Sequence, residues 1–491
     1  MRIFPDGPLR RALVLLLAAA ALLGAAAPAH GLEIGMEDER LLLGGGPDAV
    51  AAVADWRALG VDVVRLHANW GSIAPRTKPP GFRAGDPSDP RYRWDQLDHA
   101  VEIARAAGLK VMLTVTGPGP LWTSRVPARH NPRWLPNATE FGRFAHAVAS
   151  RYRDLVDRYL VWNEPNQPGW LQPQAACVRR VCTPVSPHTY RALVRAATPQ
   201  IHAADPGSEV LLGELAPIGD PQTHPSAPLA PLPFLRAMGC VDRAYRPIRT
   251  GPCAGFKPAV ADAFGYHPHP VENAPDRVNP DRDEAQFADL SRLFAVLDRL
   301  KTRVVAPGGV YLTEFGYQTS PPDHAIGITL SQQTRYLQQA SYLAWRSGRV
   351  RSLSFYQWDD EPVLSRGAGI RAYTGWQSGL RFVDGRPKPV LATFPAPLVY
   401  DRGRRILWGQ VRPDAAPAVT LLVRGPGETA FREERQVAIG ADGAFAIPFT
   451  PAPGAVYMYS WTPAALPAEP RFSAVLDLSR AEATRLRASG G

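Results

Sequence analysis

Lysine is scarce in this sequence of 491 residues and occurs only at positions 78, 110, 257, 301 and 388. Arginine therefore carries almost all of the positive charge behind the formal net charge of +10. The basic residues are scattered, and no run resembles a nucleic-acid-binding tail. We interpret the charge mainly as solvation and arginine bias, and we predict no nucleic-acid partner. A site for an acidic polymer stays open as the alternative.

Long hydrophobic runs are absent beyond the first thirty residues, so we expect no stable membrane insertion. The apolar run Ala12–Leu23 follows three arginines and precedes the small-residue cleavage site Ala27-Pro28-Ala29. This pattern predicts a signal peptide over residues 1–29 and a mature protein that is secreted or extracytoplasmic. The Arg10-Arg11 pair leaves twin-arginine export as a less favoured route.

Cysteine is also rare, with only Cys177, Cys182, Cys240 and Cys253 present. Four cysteines allow three disulfide pairings. We favour the sequence-local pairs 177–182 and 240–253, which would pin two proline-rich loops of an exported protein. A zinc site is the competing interpretation, but the spacing does not fit paired C-x-x-C knuckles. We therefore predict no metal and no cofactor.

Short apolar segments recur at even intervals through residues 30–395 and alternate with helical patterns. The candidate strands are Leu32–Gly35, Val61–Ala68, Lys110–Thr116, Tyr159–Asn163, Glu209–Glu214, Ala261–His267, Val310–Phe315 and Ser352–Trp358. Among the helical segments, Asp95–Gly108 and Glu140–Leu155 each carry an apolar stripe. Eight apolar strands alternating with helices predict an α/β fold, a closed (β/α)8 TIM barrel. An open doubly wound sheet is the alternative.

After Phe394 the pattern changes to alternating strands separated by Pro, Gly and Asp turns. The segments Ile406–Trp408, Val419–Val423, Phe445–Phe449 and Val456–Trp461 predict a small C-terminal β-sandwich over residues 396–462. Its aromatic residues fit a core better than a carbohydrate-binding surface. Residues 463–491 are tail-like, with a weak capping box at Ser479 and Glu482.

Chemically versatile side chains gather at the predicted carboxyl ends of the barrel strands, where barrel enzymes keep their active sites. The candidates are Arg65, His67, Trp70, Trp122, Asn163, Glu164, Trp170, His267, Glu314 and Trp358. Aromatic faces stack on the C–H patches of sugars while polar groups bind hydroxyls, so this mouth suits a carbohydrate. Two carboxylates facing each other are the groups needed to cut a glycosidic bond.

Several motifs spread over residues 61–360 resemble a known family. They are Val64-Arg65-Leu66-His67-Ala68-Asn69-Trp70, Tyr92-Arg93-Trp94-Asp95-Gln96-Leu97-Asp98, Gly108-Leu109-Lys110-Val111-Met112-Leu113, Trp162-Asn163-Glu164-Pro165-Asn166 and Thr313-Glu314-Phe315-Gly316. With these motifs the chain is similar to the clan A retaining glycoside hydrolases, and most similar to family 39 and family 5 enzymes. The pair of glutamate motifs, in this order on strands four and seven, is the specific part of the resemblance.

The resemblance implies a role for each matching residue. It makes Glu164 the acid/base, Glu314 the nucleophile, Asn163 the donor to the 2-hydroxyl of the sugar, and Trp358 the platform beneath it. Arg65 and His267 match positions that support the nucleophile and line the subsite. The chain departs from the family pattern at His269, where relatives often carry tyrosine, so the hydrogen bonding of the nucleophile is open.

These patterns together predict a secreted retaining glycoside hydrolase acting on an oligosaccharide or polysaccharide. A non-catalytic carbohydrate-binding protein on a barrel scaffold is the main alternative, and a structural cell-wall protein is a third. Glu214 and Glu361 compete as site carboxylates but fit structural roles better. A metal site at the three histidines 67, 267 and 269 is disfavoured because no acidic ligand stands at a fixed spacing. The sequence leaves the sugar, exo or endo action and the oligomeric state open.

Overall fold

A computed structural model describes residues 31–179, 181–364, 369–413, 417–463 and 470–478. The predicted signal peptide and the capping box at Ser479 lie outside these ranges, so both stay predictions. Within the described ranges, none of the helices combines the length and the apolar character that crossing a bilayer requires.

Eight parallel strands close into a barrel, which confirms the predicted fold. They are β1 (Glu33–Glu37), β2 (Val63–Asn69), β3 (Lys110–Thr116), β4 (Arg158–Val161), β5 (Glu209–Leu215), β6 (Ala263–Tyr266), β7 (Val310–Phe315) and β8 (Val350–Tyr356). Each strand pairs with its neighbours in sequence order, and β8 closes the barrel against β1. Because all eight run the same way, their carboxyl ends meet at one mouth.

Helices cover the outside of the barrel and fill its connections. They are α1 (Glu39–Gly44), α2 (Gly46–Ala58), α3 (Trp70–Ile73), α4 (Asp95–Ala106), α5 (Ala138–Arg151), α6 (Ser186–Ala204), α7 (Pro231–Met238), α8 (Leu290–Leu300), α9 (Leu330–Arg346) and α10 (Pro389–Thr393). Five 3-10 turns occur in the connections, at Leu121–Thr123, Pro127–Arg129, Gly251–Cys253, Phe287–Asp289 and Gly369–Tyr373. The apolar stripes predicted for α4 and α5 face the barrel, since their leucine, valine and phenylalanine side chains belong to the main core.

The barrel interior is apolar near the amino ends of the strands and polar near the mouth. Six side chains, one from each of β2 to β7, form a separate apolar cluster: Val63, Met112, Leu160, Leu211, Ala263 and Tyr311. Two residues further along β2 stands Arg65, which is fully buried. Side chains of a strand alternate between faces, so Arg65 enters the same interior as Val63. The apolar layer therefore forms the floor beneath a charged layer.

Both disulfides form as predicted from the sequence. Cys177 and Cys182 join the antiparallel ribbon Ala175–Val178 and Val181–Pro184 in the connection after β4. Cys240 and Cys253 close a loop in the connection between β5 and β6. Two other strand pairs complete the barrel half, Ala259–Val260 with Val304–Val305 and Thr319–Ser320 with Ile328–Thr329.

The C-terminal unit consists of antiparallel sheets around a core of its own, as expected of a β-sandwich. Its strands are β9 (Leu398–Asp401), β10 (Ile406–Gln410), β11 (Ala418–Arg424), β12 (Arg432–Ala438), β13 (Ala444–Pro448), β14 (Val456–Trp461), β15 (Arg471–Phe472) and β16 (Leu476–Asp477). The assignment of all of 463–491 to a tail is wrong for residues 470–478, because β15 and β16 both pair with β14.

The sandwich packs against helix α9 of the barrel. Tyr342 donates a hydrogen bond to Asp401 at 2.8 Å, and the indole of Trp345 donates one to Asp442 at 2.8 Å. Trp345 and Tyr342 also contact Trp408, with ring centroids 5.9 and 5.6 Å apart. Only four residues separate the end of α10 from the start of β9, so no long linker intervenes.

The alternation along β11 gives a direct test of the sandwich core. Leu421 is fully buried, whereas its neighbour Thr420 points to the other, partly exposed face. We expect Leu421→Ala to lower the free energy of unfolding by about 2–5 kcal/mol, because it removes a buried side chain and leaves a cavity. Thr420→Ala should change it by less than about 0.5 kcal/mol. Urea unfolding of both variants provides the measurement, and equal losses would contradict the described packing.

Candidate active site

Arg65 occupies the centre of the barrel mouth, and all five of its N–H donors are used. Its guanidinium donates to Glu37 at 2.6 Å, Glu314 at 2.6 Å, Glu214 at 2.5 Å and the Asn163 Oδ1 at 2.7 Å. Its Nε donates to the Thr114 hydroxyl at 3.1 Å. These partners come from β1, β3, β5, β7 and the end of β4. One arginine therefore links six strands of the barrel.

The charges around Arg65 set the protonation of the carboxylates. Burial alone would raise the pKa of Glu214, but Arg65 and His267 outweigh it and lower that pKa to about 2. In the same way, His267 and Arg65 overcome burial and hold the pKa of Glu314 well below its usual range. Burial dominates at Glu37, where it raises the pKa to about 7 despite Arg65. Glu214 and Glu314 are thus the two carboxylates that stay ionised beside the arginine.

An unusual backbone turn at the end of β4 places Asn163 and Glu164 in the mouth. Trp162 has a φ of 67° and Glu164 a φ of 36°, both in the left-handed region that bulky residues rarely adopt. The turn directs the fully buried Trp162 ring against Phe141 of α5, with centroids 5.2 Å apart. The Asn163 N–H donates to the Thr116 hydroxyl of β3 at 3.0 Å, while its Oδ1 accepts from Arg65. The backbone strain therefore occurs at the residues that place Asn163 and Glu164 in the mouth.

Glu164 and Glu314 meet at one histidine. The Nδ1 of His267 lies 3.1 Å from an oxygen of Glu164 and 3.6 Å from an oxygen of Glu314. The two oxygens can be no further apart than the sum of these distances, which lies at the low edge of the about 6.5–9.5 Å typical of inverting pairs. This upper limit is compatible with the spacing of about 5–5.5 Å between the carboxyl groups of retaining enzymes.

Glu164 differs from Glu314 in its surroundings. The side chain of Glu164 is 20% exposed and makes no contact with Arg65, whereas that of Glu314 is 12% exposed and paired with it. Burial opposes the charge of His267, but Glu314 and Glu214 raise its pKa to about 10. Glu314 is therefore held as an anion, and Glu164 lies beside it with access to solvent.

His269 and Trp376 lie on the Glu314 side of the mouth. The Nε2 of His269 lies 3.4 Å from the second oxygen of Glu314, at the position where the family pattern has tyrosine. Its ring stacks on Trp376 with centroids 5.6 Å apart and an interplanar angle of 22°. Trp376 is 40% exposed and also contacts Tyr356, the last residue of β8. Trp376 stands in the long connection after β8, where no periodic pattern predicts the direction of a side chain.

His67 and Trp170 lie together on the opposite side, as a stacked pair with centroids 5.9 Å apart. His67 makes a close contact with Glu39 and lies 3.8 Å from Glu37. Burial would lower the pKa of His67, but Glu39 raises it. Glu37 and Glu39 were missed because the predicted first strand ended at Gly35, two residues short of the observed end.

The structure contradicts two of the predicted sugar contacts. Trp358, proposed as the platform, is only 1% exposed; it packs edge-on against Trp56 of α2 and beneath the Arg381 guanidinium. Strand β8 ends at Tyr356, so Trp358 lies past the turn and its ring enters the layer between barrel and helices. Trp70 is likewise 1% exposed and stacks on Phe144 of α5. Neither ring is accessible to a ligand in the mouth.

Trp122 lies in the connection after β3, as expected, and its contact with substrate stays a prediction. Its indole N–H donates to the Pro75 carbonyl at 2.9 Å, and its ring contacts Phe82 and Lys78. These contacts join the connections that follow β2 and β3. Trp122 therefore joins two loops at the rim of the barrel, and none of its described contacts is with Glu164 or Glu314.

Three groups of described residues bring three potential metal ligands within 4.8 Å of one another. They are His267, His269 and Glu314; Glu37, Glu39 and His67; and His188, Cys240 and Cys253. The first two groups consist of side chains already engaged in the ion pairs of the mouth. In the third group the two cysteines form a disulfide and offer no thiolate.

No protein-family model matches the chain, and a search of curated proteins finds no match either. Solved structures do resemble it. A family 39 glycoside hydrolase from the gut symbiont Bacteroides cellulosilyticus WH2 is 13% identical, with 86% of this chain and 79% of that chain covered and a TM-score of 0.49.

Two further structures are similar to the same extent. A glucosidase from Croceicoccus marinus is 12% identical over 84% of this chain and 82% of its own, with a TM-score of 0.46. GH5_18 from Streptomyces cattleya, in complex with GlcNAc, is 16% identical over 74% and 78%, with a TM-score of 0.47. The families named include those that the sequence motifs resemble. At these identities the likeness is one of fold.

The protonated state of His267 predicts a dependence of stability on pH. Its folded pKa of about 10 lies above that of an unfolded histidine, about 6.5. The stabilisation is therefore complete below pH 6.5 and is lost as the pH rises towards 10. Between pH 7 and 10 we expect the unfolding free energy of the wild type to fall more steeply than that of His267→Gln, by up to about 1.4 kcal/mol per pH unit.

Urea unfolding at several pH values measures this slope. His99→Gln, which changes an exposed histidine on α4, serves as the control and should keep the wild-type slope. Parallel slopes for the wild type and His267→Gln would show that His267 does not carry this proton.

Proposed function

We propose that this protein is a retaining glycoside hydrolase, with Glu164 as the acid/base and Glu314 as the nucleophile. The observation that carries the proposal is the pair of glutamates at the ends of β4 and β7, which share the Nδ1 of His267. Arg65 and His267 keep Glu314 ionised, as a nucleophile must be. Among the described residues no arginine pairs with Glu164, and its side chain is open to solvent, as a group that exchanges protons must be.

The reaction is a double displacement. In the first step an oxygen of Glu314 attacks the anomeric carbon, the glycosidic C–O bond breaks, and Glu164 gives its proton to the departing oxygen. In the second step Glu164 takes a proton from water, the water oxygen attacks the anomeric carbon, and the ester bond to Glu314 breaks. Both glutamates return to their starting states, and the product keeps its anomeric configuration.

Neighbouring residues position the sugar in this scheme. Arg65 donates to the Oδ1 of Asn163, which turns the Nδ2 donors of that amide away from the arginine. We assign Nδ2 to the 2-hydroxyl of the sugar, where hydrogen bonds strengthen in the transition state. Trp376 replaces Trp358 as the aromatic platform, since its ring is 40% exposed and stacks on His269 beside Glu314. His67 and Trp170 line the opposite wall.

We also propose that the enzyme is exported. The amino-terminal segment has the charge pattern and cleavage site of a signal peptide. The two disulfides fit an oxidising compartment, because cytosolic thiols are kept reduced. A carbohydrate substrate outside the cytoplasm agrees with both features.

The two glutamates can be distinguished by substrates with different leaving groups. A 2,4-dinitrophenolate leaves without a proton, so Glu164→Gln should still form the glycosyl-enzyme from 2,4-dinitrophenyl glycosides but release it slowly. Intact mass spectrometry should then show one sugar attached to Glu164→Gln and none to Glu314→Gln. On unactivated oligosaccharides both variants should lose roughly a thousandfold or more in kcat.

Glu102→Gln is the matched control, because it makes the same change at an exposed position on α4. It should retain wild-type activity on every substrate. A fully active Glu164→Gln or Glu314→Gln variant would refute the assignment. A wild-type protein that binds glycans but hydrolyses none would favour the non-catalytic carbohydrate-binding alternative.

The stereochemical outcome gives a second test. The shared histidine brings the carboxylates too close for most inverting geometries, so we expect the first-formed product to keep the anomeric configuration of the substrate. Proton NMR during the first minutes of hydrolysis identifies the anomer before mutarotation. Initial formation of the opposite anomer would contradict the double displacement.

A further inference from the structure

A cavity of about 380 Å³ opens beside the proposed catalytic centre. Nine residues line it, of which Arg76 and His130 are its charged or titratable members and three are prolines. Both side chains are exposed, and no carboxylate within the described ranges lies at ion-pairing distance from either one. The cavity thus offers cationic and hydrogen-bonding groups that have no internal anion to satisfy them.

The cavity belongs to the same end of the barrel as the two glutamates. Asn69, which lines it, is the last residue of β2, and Pro118 stands two residues past the end of β3. Between them and the catalytic residues lies Thr116, whose hydroxyl accepts a hydrogen bond from the Asn163 N–H at 3.0 Å. The cavity and the two glutamates therefore share the mouth of the barrel, where one extended glycan has both within the same surface.

The wall behind the cavity carries no acidic residue. The connection after β3, residues 117–137, contains Arg125, Arg129, His130 and Arg133 but no Asp or Glu. The connection after β4, residues 165–185, also lacks Asp and Glu. In a chain with 45 acidic residues, two adjoining segments without any give this side of the mouth a positive potential.

The two connections form one continuous surface. The N–H of Leu135 donates to the Gln172 carbonyl at 2.7 Å, and the N–H of Gln172 donates to the Arg133 carbonyl at 2.8 Å. The Asn131 amide donates to the Gln172 side chain at 2.8 Å. Backbone pairing of this kind holds the cationic side chains at a fixed distance from the cavity.

We propose that the substrate of this site is an anionic glycan, and that Arg76 and His130 bind a carboxylate or sulfate group of it in the cavity. This proposal rests on the proposed hydrolase function and names its substrate class. Arginine suits either group, because its guanidinium pairs with planar or tetrahedral oxyanions through several N–H donors. Arg76, one of the many arginines of the chain, then binds substrate, whereas we interpret most of the others as keeping the surface solvated.

The carboxylates of the catalytic centre explain why the anionic group belongs in the cavity. The cations of the catalytic centre, Arg65 and His267, are already paired with Glu314 and Glu214, so neither is free to bind a further anion there. The cavity lies beyond Asn69, next to the connection 117–137, whose charged residues are all basic, and Asp86, Asp89 and Glu140 nearby are already paired with Arg83, Arg91 and Lys78. We therefore expect a neutral sugar at the catalytic centre and an acidic sugar in the cavity.

Binding to an inactive variant tests the proposal separately from catalysis. In a Glu164→Gln background we would measure by calorimetry the binding of galacturonate pentasaccharides and of sulfated carrageenan oligosaccharides. Their carboxyl-reduced and desulfated forms are the neutral counterparts. We expect at least one charged form to bind roughly tenfold or more tightly than its neutral counterpart, and added Arg76→Gln to remove most of that difference. The form preferred distinguishes carboxylate from sulfate.

Arg195→Gln is the matched control, because it removes the same charge from an exposed position on α6, away from the mouth. It should leave the preference unchanged, which separates the cavity from general attraction to a basic protein. Equal losses in the Arg76 and Arg195 variants, or no preference for either charged form, would overturn the proposal. Failure of the wild type to hydrolyse any glycan would instead count against the hydrolase function and leave the binding result standing.

Discussion

The buried guanidinium of Arg65 is the group on which the mouth of this barrel depends. Its five donors reach acceptors on β1, β3, β5, β7 and the end of β4, so the positions of these strand ends are coupled. A buried carboxylate without such a partner would take up a proton. Arginine keeps its charge at any pH at which the protein folds, so it can hold Glu214 and Glu314 as anions. The apolar floor below contributes the low dielectric that makes these pairs strong.

Three glutamates of the mouth, Glu214, Glu314 and Glu164, differ in their surroundings. Glu214 accepts hydrogen bonds from Arg65 and Thr313 and is fully buried, so it serves as internal counter-charge. Glu314 shares the arginine but faces the mouth, and Glu164 stands outside its reach. Gly265 on β6 leaves the room for this, since a Cβ there would lie 2.3 Å from a Glu214 oxygen. The different surroundings of these three glutamates match the counter-ion, nucleophile and proton-donor roles that we propose for them.

Much of this architecture could be predicted from the chain. The bounds of β3 and β7 agree with the apolar runs, and the glutamates at the ends of β4 and β7 lie in the mouth as expected. The direction of a side chain beyond the end of a strand is harder to predict, because the alternation between the two faces of the strand stops where the chain turns. Trp70 and Trp358 follow such turns, and their rings enter the helical layer. The resemblance implied that Arg65 supports Glu314. Its contacts with Glu37, Thr114 and Glu214 join strands that are distant in sequence, and Trp376 stands in a connection without periodicity, so no local pattern indicated them.

The attachment of the sandwich has a consequence for how the protein could meet a solid substrate. Hydrogen bonds from Tyr342 and Trp345, and the rings packed on Trp408, fix the sandwich to α9 with only four residues between α10 and β9. A tethered accessory domain searches a polymer surface by swinging on its linker. Here the contacts with α9 give the sandwich a defined position beside the barrel, so any surface that meets the sandwich also meets the barrel in one orientation.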